Sequence, residues 1–156
     1  MTVQTENLRL ASLDDIPYLM GLAKTLYDTS GWEDIPVDYT KGQAVFEKFI
    51  IEGQKEALVL ISHDKGKAVG VLAAYAFTPI FSNSKVAVEC LWYLEPEYRG
   101  RRGLDMKKAY EYWAKLVGAE FCQYGVLSTS PDGLEKLYQR EGMKFSEKVY
   151  IKKLES

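Results

Sequence analysis

The sequence is poor in the side chains from which metal sites and nucleophilic triads are built. It contains one histidine, His63, and two cysteines, Cys90 and Cys122, among 156 residues. A histidine-rich metal site and a Ser/His/Asp triad therefore lack the residues that they need. Both cysteines lie in predicted buried strands without a partner at metal-ligand spacing, so we expect apolar core residues in a reducing compartment. No metal is expected.

Strong net charge and long apolar runs are also missing. The net charge at pH 7 is -2, whereas proteins that bind nucleic acid usually carry a large basic excess. No apolar run approaches the length that spans a membrane, and the first six residues lack the cationic and apolar regions of a signal peptide. We expect a cytoplasmic protein without a nucleic-acid or membrane partner.

The remaining composition suits one domain over residues 1–156. Hydrophobic residues make up 47% of the chain, and they are spread along it without a Pro/Gly/Ser-rich linker. Periodicity and turn residues predict the order β-α-α-β-β-β-α-β-α-β. Predicted strands cover residues 8–10, 57–61, 69–77, 86–94, 121–127 and 145–154, and predicted helices cover residues 16–27, 41–51, 104–117 and 132–140. Three consecutive strands between helices indicate an α/β fold with a mixed sheet and helices on both faces.

A turn rich in glycine and arginine joins the fourth predicted strand to the third predicted helix. Its sequence is Arg99-Gly100-Arg101-Arg102-Gly103. Glycines let the backbone approach a diphosphate, and a helix N-terminus attracts anions. Lys107 and Lys108 would extend this basic patch, although a solvated arginine turn explains the glycine pair equally well. A Walker loop and a first-crossover dinucleotide fingerprint both fit poorly, because no Gly-Lys-Ser/Thr is present and the turn follows the fourth strand.

Two segments resemble the GNAT (N-acetyltransferase) superfamily. Leu94-Glu95-Pro96-Glu97-Tyr98-Arg99-Gly100, with the helix after it, is similar to the coenzyme A loop of these enzymes. Leu137-Tyr138-Gln139-Arg140-Glu141-Gly142-Met143 is similar to their Leu-Tyr-x-x-x-Gly-Phe element. The order of elements matches over nearly the full chain. The resemblance implies a GNAT fold and direct transfer of an acetyl group from acetyl-CoA to an amine of a small molecule or a protein.

The resemblance also implies roles for individual residues. The Leu94 amide would hold the acetyl carbonyl and stabilise an oxyanion, and the amides from Gly100 to Leu104 would hold the pyrophosphate. The expected acetyl-CoA-binding residues are Leu94, Arg99, Gly100, Arg101, Arg102, Gly103 and Leu104. Tyr138 would protonate the leaving thiolate, with a core aromatic on an amphipathic helix as the alternative.

Glu89 is the candidate general base on grounds of its own. An amine must lose a proton before or during attack. A lone carboxylate inside an apolar strand is costly unless it is paired or faces a cleft. A wet sheet face, or an ion pair with a lysine, explains Glu89 as well.

The loop departs from the family pattern Arg/Gln-x-x-Gly-x-Gly/Ala. Three residues separate Arg99 from Gly103, Asp105 stands where a small residue is expected, and Ser130-Pro131-Asp132 replaces an asparagine. The shortened loop resembles bacteriophage-encoded members of the superfamily. The departures leave open a non-catalytic GNAT-like structural or interaction component, virion-associated ones included. An RNA-binding domain is a weaker alternative, because the basic residues are confined to one turn.

The acceptor side is predicted to come from the first inter-helix loop and the loop after the third strand. Aromatic candidates for an apolar wall are Trp32, Tyr39 and Phe81. Acids that would attract a cationic amine are Asp28, Glu33, Asp34 and Asp38, although a solvated acidic loop explains the same charges. Polyamines, amino acids, antibiotics and protein amino groups all remain candidate acceptors, and a homodimer is the default assembly.

Overall fold

Five strands form one mixed sheet in the computed structural model of the protein, which describes residues 5–155. The strands are β1 (Leu8–Leu10), β2 (Ala57–Asp64), β3 (Lys67–Phe77), β4 (Val86–Leu94) and β5 (Phe121–Gln123). They lie in this order across the sheet. Neighbours from β1 to β4 are antiparallel, and β5 is parallel to β4.

Four helices connect and cover the strands. They are α1 (Ile16–Asp28), α2 (Tyr39–Glu52), α3 (Arg101–Leu116) and α4 (Gly133–Arg140). The Asp38 carboxylate accepts the Lys41 amide at 2.9 Å and caps α2, and Gly53 ends α2 in the left-handed region with φ of 53°. α3 provides the crossover that the parallel pair β4 and β5 requires. No helix among residues 5–155 is long and apolar enough to cross a bilayer.

The sheet separates two apolar cores. α1 and α2 cover one face, where the buried strand residues are Val59, Ile61, Val71, Ala73 and Leu91. α3 covers the other face, where the buried strand residues include Leu58, Leu60, Leu72, Ala87 and Leu94. Trp113 of α3 is fully buried in this second core, and its indole N–H donates to the Gln54 carbonyl at 3.0 Å. Helices on both faces of a mixed sheet confirm the predicted α/β fold.

A β-bulge at Cys90 interrupts the pairing of β3 with β4. Ala73 pairs with Leu91 and the next residue, Ala74, pairs with Glu89, so Cys90 is the extra residue. The thiol of Cys90 lies 3.3 Å from the Ala73 carbonyl oxygen. Solvent reaches both Cys90 and Cys122, because one occupies the bulge and the other lies on a short edge strand. The prediction that both cysteines are buried core residues is wrong.

The bulge also changes which residues of β4 face each core. Ala87 packs in the α3 core, whereas Leu91, four residues later, packs in the α1/α2 core. In an unbulged strand these two residues would share a face. After the bulge, Trp92 and Leu94 return to the α3 side. Glu89, two residues from Ala87 and before the bulge, therefore lies on the α3 face.

β5 accompanies β4 over three residues. Val86 pairs with Phe121 and Val88 with Gln123. Residues 89–94 of β4 have no ladder partner on this side within residues 5–155. β4 therefore presents a free backbone edge along the second half of its length.

Residues 145–154, predicted as the last strand, form no regular structure. Their apolar side chains lie in solvent, with Phe145 80%, Tyr150 83% and Leu154 82% exposed. A strand needs a neighbouring ladder to satisfy its backbone, and β5 ends at Gln123 instead of extending to residue 127. The prediction of a sixth strand is wrong because the sheet offers so short an edge.

Candidate active site

A cavity of about 900 Å³ follows the free edge of β4. Residues 89–94 of β4 line it, together with Tyr27 and Trp32 from the α1 side and Gly100 and Gly103 from the α3 side. α1 and α3 lie on opposite faces of the sheet. The cavity therefore passes through the sheet where β5 leaves β4, so two molecules can approach each other from opposite faces.

The N-terminus of α3 opens onto this cavity. Gly100 has φ of 96° and ψ of -118°, a conformation that favours glycine. α3 begins at Arg101 instead of near Leu104, and the Leu104 amide donates to the Gly100 carbonyl at 3.1 Å. The amides of residues 100–103 have no acceptor among residues 5–155. They are available to an anion, whereas the amide of Leu104 is already used.

Two arginines bring positive charge to the cavity. Arg99 lines it, and its Nε donates to the Leu94 carbonyl at 3.0 Å. Arg140, in the last turn of α4, lines it as well, although the family resemblance of that segment singled out Tyr138 alone. Arg101 and Asp105 do not line the cavity. Asp105, which stands where the family pattern has a small residue, is therefore not part of the cavity lining.

Arg102 joins the start of α3 to the hairpin between β2 and β3. It donates to the His63 carbonyl and to the Asp64 carboxylate, both at 2.9 Å. Its guanidinium also lies 4.9 Å from the centre of the Tyr98 ring. The pairing with Arg102 lowers the pKa of Asp64. This guanidinium positions the helix N-terminus and does not line the cavity.

Lys107 is a buried structural cation. Its side chain is 5% exposed, and its Nζ lies 2.7 Å from Oε1 of Glu111 and 2.5 Å from Oε2 of Glu141. The Tyr124 hydroxyl donates to the same Glu111 oxygen at 2.7 Å. Because Glu111 lies on α3 and Glu141 follows α4, the ammonium fastens the end of α4 to α3. The prediction that Lys107 extends the exposed basic patch is wrong, whereas Lys108 is exposed.

Tyr138 lies in α4, the helix whose end the Lys107 ion pairs fasten to α3. It is 8% exposed, and its ring centroid lies 5.2 Å from that of Tyr124. Its hydroxyl oxygen is buried without a hydrogen-bond partner among the described residues, which is costly in a folded chain. Burial raises the pKa of Tyr138, and the charges of Glu89 and Glu141 raise it further. The phenol therefore keeps its proton at neutral pH. Tyr138 does not itself line the cavity, whereas its neighbour Leu137 does.

Glu89 lines the cavity from β4. Its Oε2 accepts the amide of Gly125 at 3.1 Å. Burial raises the pKa of Glu89 to about 7, although the Gly125 bond acts in the opposite direction. No cation among residues 5–155 forms an ion pair with it. A carboxyl that titrates near neutrality suits a general base.

The amide of Leu94 faces the free edge of β4. Glu95 donates its amide to the Val69 carbonyl on β3 at 2.9 Å. Successive residues of a strand direct their amides to opposite sides, so the Leu94 amide faces away from β3. Leu94 also lines the cavity. A strand amide in this position is a donor for a carbonyl oxygen.

The aromatic candidates for the acceptor side are placed differently from one another. Trp32 lines the cavity, whereas Tyr39 and Phe81 do not, and Phe81 is 97% exposed. Tyr27, at the end of the helix predicted over residues 16–27, also lines the cavity. The ring centroids of Tyr27 and Trp32 lie 6.2 Å apart.

The four predicted acids do not line the cavity. Asp28 pairs with Lys24 on α1, Asp38 caps α2, and Glu33 and Asp34 are exposed to solvent. These charges lie at helix ends or in solvent, as a solvated acidic loop would have them, and attraction of a cationic amine by this loop stays a prediction. No group of three or more metal-ligating side chains is assembled within residues 5–155.

Comparison with solved structures identifies the fold. A glucosamine-6-phosphate N-acetyltransferase from Arabidopsis thaliana matches 97% of this chain and 100% of its own, with a TM-score of 0.72 and 15% identity. A predicted acetyltransferase from Clostridium acetobutylicum, solved with acetyl-CoA, matches 94% and 95% with a TM-score of 0.72 and 16% identity. An aminoglycoside 6'-N-acetyltransferase from Acinetobacter haemolyticus matches 96% and 99% with a TM-score of 0.68 and 20% identity.

These likenesses establish the fold and no more, since the identities are low. The chain has the fold of the GNAT acetyltransferases. No family model and no curated protein matches the sequence. None of the three matched proteins is described as phage-encoded, so the phage resemblance of the loop stays a prediction.

Replacing Lys107 by methionine tests the buried network. We expect Lys107→Met to lower the free energy of unfolding by about 2–4 kcal/mol, because two carboxylates then face each other without a cation. Urea denaturation followed by tryptophan fluorescence measures the change. Lys108→Met, at the exposed neighbour, should stay within about 0.5 kcal/mol of the parent. Equal stability of the two variants would contradict the structural role of Lys107.

Proposed function

We propose that the protein is an acetyl-CoA-dependent N-acetyltransferase that transfers the acetyl group directly to an amine. The observation that carries the proposal is the cavity along the free edge of β4, which passes through the sheet and is lined by Glu89 and by the start of α3. Such a passage lets a donor and an acceptor meet without a covalent enzyme intermediate. The family resemblance of the sequence and the fold of the matched acetyltransferases support the same activity.

The residues at the start of α3 fit the diphosphate of coenzyme A. Four amides without an acceptor among residues 5–155, those of residues 100–103, lie at the N-terminus of α3, and Arg99 adds a full positive charge next to them. A Cβ on Gly103 would lie 3.8 Å from Trp92 and 4.0 Å from Leu94, so this position faces β4. When bound, acetyl-CoA supplies an activated acetyl thioester. Arg140 offers a second cation from α4.

Three polar groups of the chain have different roles in the proposed reaction. The Leu94 amide offers a hydrogen bond for a carbonyl oxygen. Glu89, with a pKa of about 7, accepts a proton from the amine at its carboxylate. The Tyr138 hydroxyl, buried next to the lining residue Leu137, donates its proton to the leaving thiolate of coenzyme A when the bound thiol group reaches it.

Calorimetric titration with acetyl-CoA tests the site. We expect saturable binding by the parent protein and loss of binding in Gly103→Asp, because the new carboxylate repels a diphosphate at the helix start. Gly21→Asp is the matched control, since Gly21 is an exposed helix glycine whose Cβ would meet nothing within 4 Å. Folded parent protein that binds neither acetyl-CoA nor free coenzyme A would overturn the proposal.

The pKa of Glu89 sets the expected pH dependence. The folded pKa is about 7, so below pH 7 the carboxyl is protonated and cannot accept a proton. We expect kcat/KM to rise with pH and to level off above about 7. Glu89→Gln should lower kcat/KM roughly 100-fold and remove this inflection. An unchanged pH profile in the variant would exclude Glu89 as the base.

Tyr138→Phe separates proton donation from binding. Removing the hydroxyl should lower kcat by roughly 100-fold while the dissociation constant of acetyl-CoA stays unchanged. Tyr112→Phe, at a tyrosine of α3 that is 55% exposed, is the control and should leave both constants unchanged. Parent-like turnover in Tyr138→Phe would reduce Tyr138 to a packing residue.

A protein-interaction role is a second candidate, and one observation favours it. Residues 145–154 expose several apolar side chains outside the sheet, and exposed apolar surface commonly marks an interface. The expected homodimer would use this segment. Light scattering of the full chain and of a chain ending at Met143 tests the idea, since dimers of the first and monomers of the second are expected. A monomeric full chain would remove this reason for an interaction role.

A further inference from the structure

We infer that the acceptor is a single primary amine carried on an aromatic or apolar body, and not a polycation. The inference rests on the proposed acetyltransferase function and concerns the part of the same cavity that opens toward α1. Three observations carry it: an aromatic wall, the distribution of charge around the cavity, and the anchoring of the loop that holds the wall.

The wall consists of side chains from the end of α1 and from the loop that follows it. Leu26, Tyr27 and Trp32 line the cavity there, and the two rings lie 6.2 Å apart at an interplanar angle of 59°. Trp32 is 37% exposed, which leaves much of its ring open to contact. Aromatic surfaces of this kind bind apolar or aromatic ligands through area and ring packing.

The charges of the cavity do not suit a polycation. Glu89 is the one carboxylate among the described residues that lines it, and at pH 7 it serves as the proton acceptor. The charged groups that remain are Arg99 and Arg140, both cationic. A second ammonium group on the acceptor would therefore lose its hydration without gaining a carboxylate. One amine, positioned at Glu89, matches the available charge.

The loop that carries Trp32 is fixed to the segment before α4. Thr129 donates its hydroxyl to the Thr29 carbonyl at 2.6 Å, and Ser30 is 3% exposed. Gly31 has φ of 81°, and a Cβ there would lie 2.8 Å from Oγ of Ser128, so the two segments are in close contact. A wall that is already positioned binds its ligand without the cost of ordering a loop.

Steady-state kinetics with two amines test the inference, with release of free thiol from acetyl-CoA as the readout. The probes are 2-phenylethylamine, an aromatic monoamine, and spermidine, an aliphatic polyamine. We expect kcat/KM for 2-phenylethylamine to exceed that for spermidine by roughly tenfold or more. A reversed preference overturns the inference, and so does the absence of turnover with both amines in protein that binds acetyl-CoA by calorimetry. Failure of acetyl-CoA to bind instead removes the proposed function itself.

Variants of Trp32 test whether this side chain causes the preference for the aromatic monoamine. Trp32→Ala should lower kcat/KM for 2-phenylethylamine roughly tenfold, Trp32→Phe should retain most of it, and the affinity for acetyl-CoA should not change. Trp32→Glu, which removes the ring and adds a carboxylate, should shift the preference toward spermidine. Phe81→Ala, at an exposed ring outside the cavity, is the control. Equal losses in Trp32→Ala and Phe81→Ala would overturn the assignment of the wall.

Discussion

Beyond Val88 and Gln123, β4 has no hydrogen-bonding neighbour on one side within the described chain. Backbone groups at such an edge attract partners that can pair with them, as the Leu94 carbonyl does with Arg99 Nε. Here the open edge becomes the floor of a cavity, because α3 covers one face of the sheet, α1 covers the other, and α4 lies beside the gap. Residues of α1, β4, α3 and α4 all line the cavity that opens where β5 separates from β4.

The polar contacts on the α3 side hold the gap open in a defined shape. Lys107 binds carboxylates from α3 and from the residue after α4, and Arg102 holds the start of α3 to the hairpin between the inner strands β2 and β3. Both cations form ion pairs with carboxylates of the protein itself. The charge that faces the cavity from this side comes instead from Arg99 and Arg140, so structural and ligand-facing cations are separate sets.

Most of the fold could be predicted from the sequence, because apolar periodicity and turn residues mark long elements well. The segment from β4 to α3 was found by its motif. Periodicity could not reveal that Lys107 is buried, since a cation at a helix position looks the same whether solvent or two carboxylates neutralise it. The exposed final segment was missed for a related reason: its β-favouring residues have the composition of a strand, but a strand also needs an edge to pair with.

The bulge at Cys90 changes which alternate side chains of β4 face α3. Before it, odd-numbered side chains face α3, as Ala87 does, and after it even-numbered ones do, as Trp92 and Leu94 do. If β4 kept all its residues but paired with β3 without the bulge, every apolar side chain would still be present, yet the second half of β4 would turn over. The aromatic and aliphatic surface behind the α3 helix start would then point toward α1. Removing Cys90 together with the bulge would instead keep both faces as they are. The number of residues in β4 and the presence of the bulge are therefore one requirement on the chain, and neither can change alone.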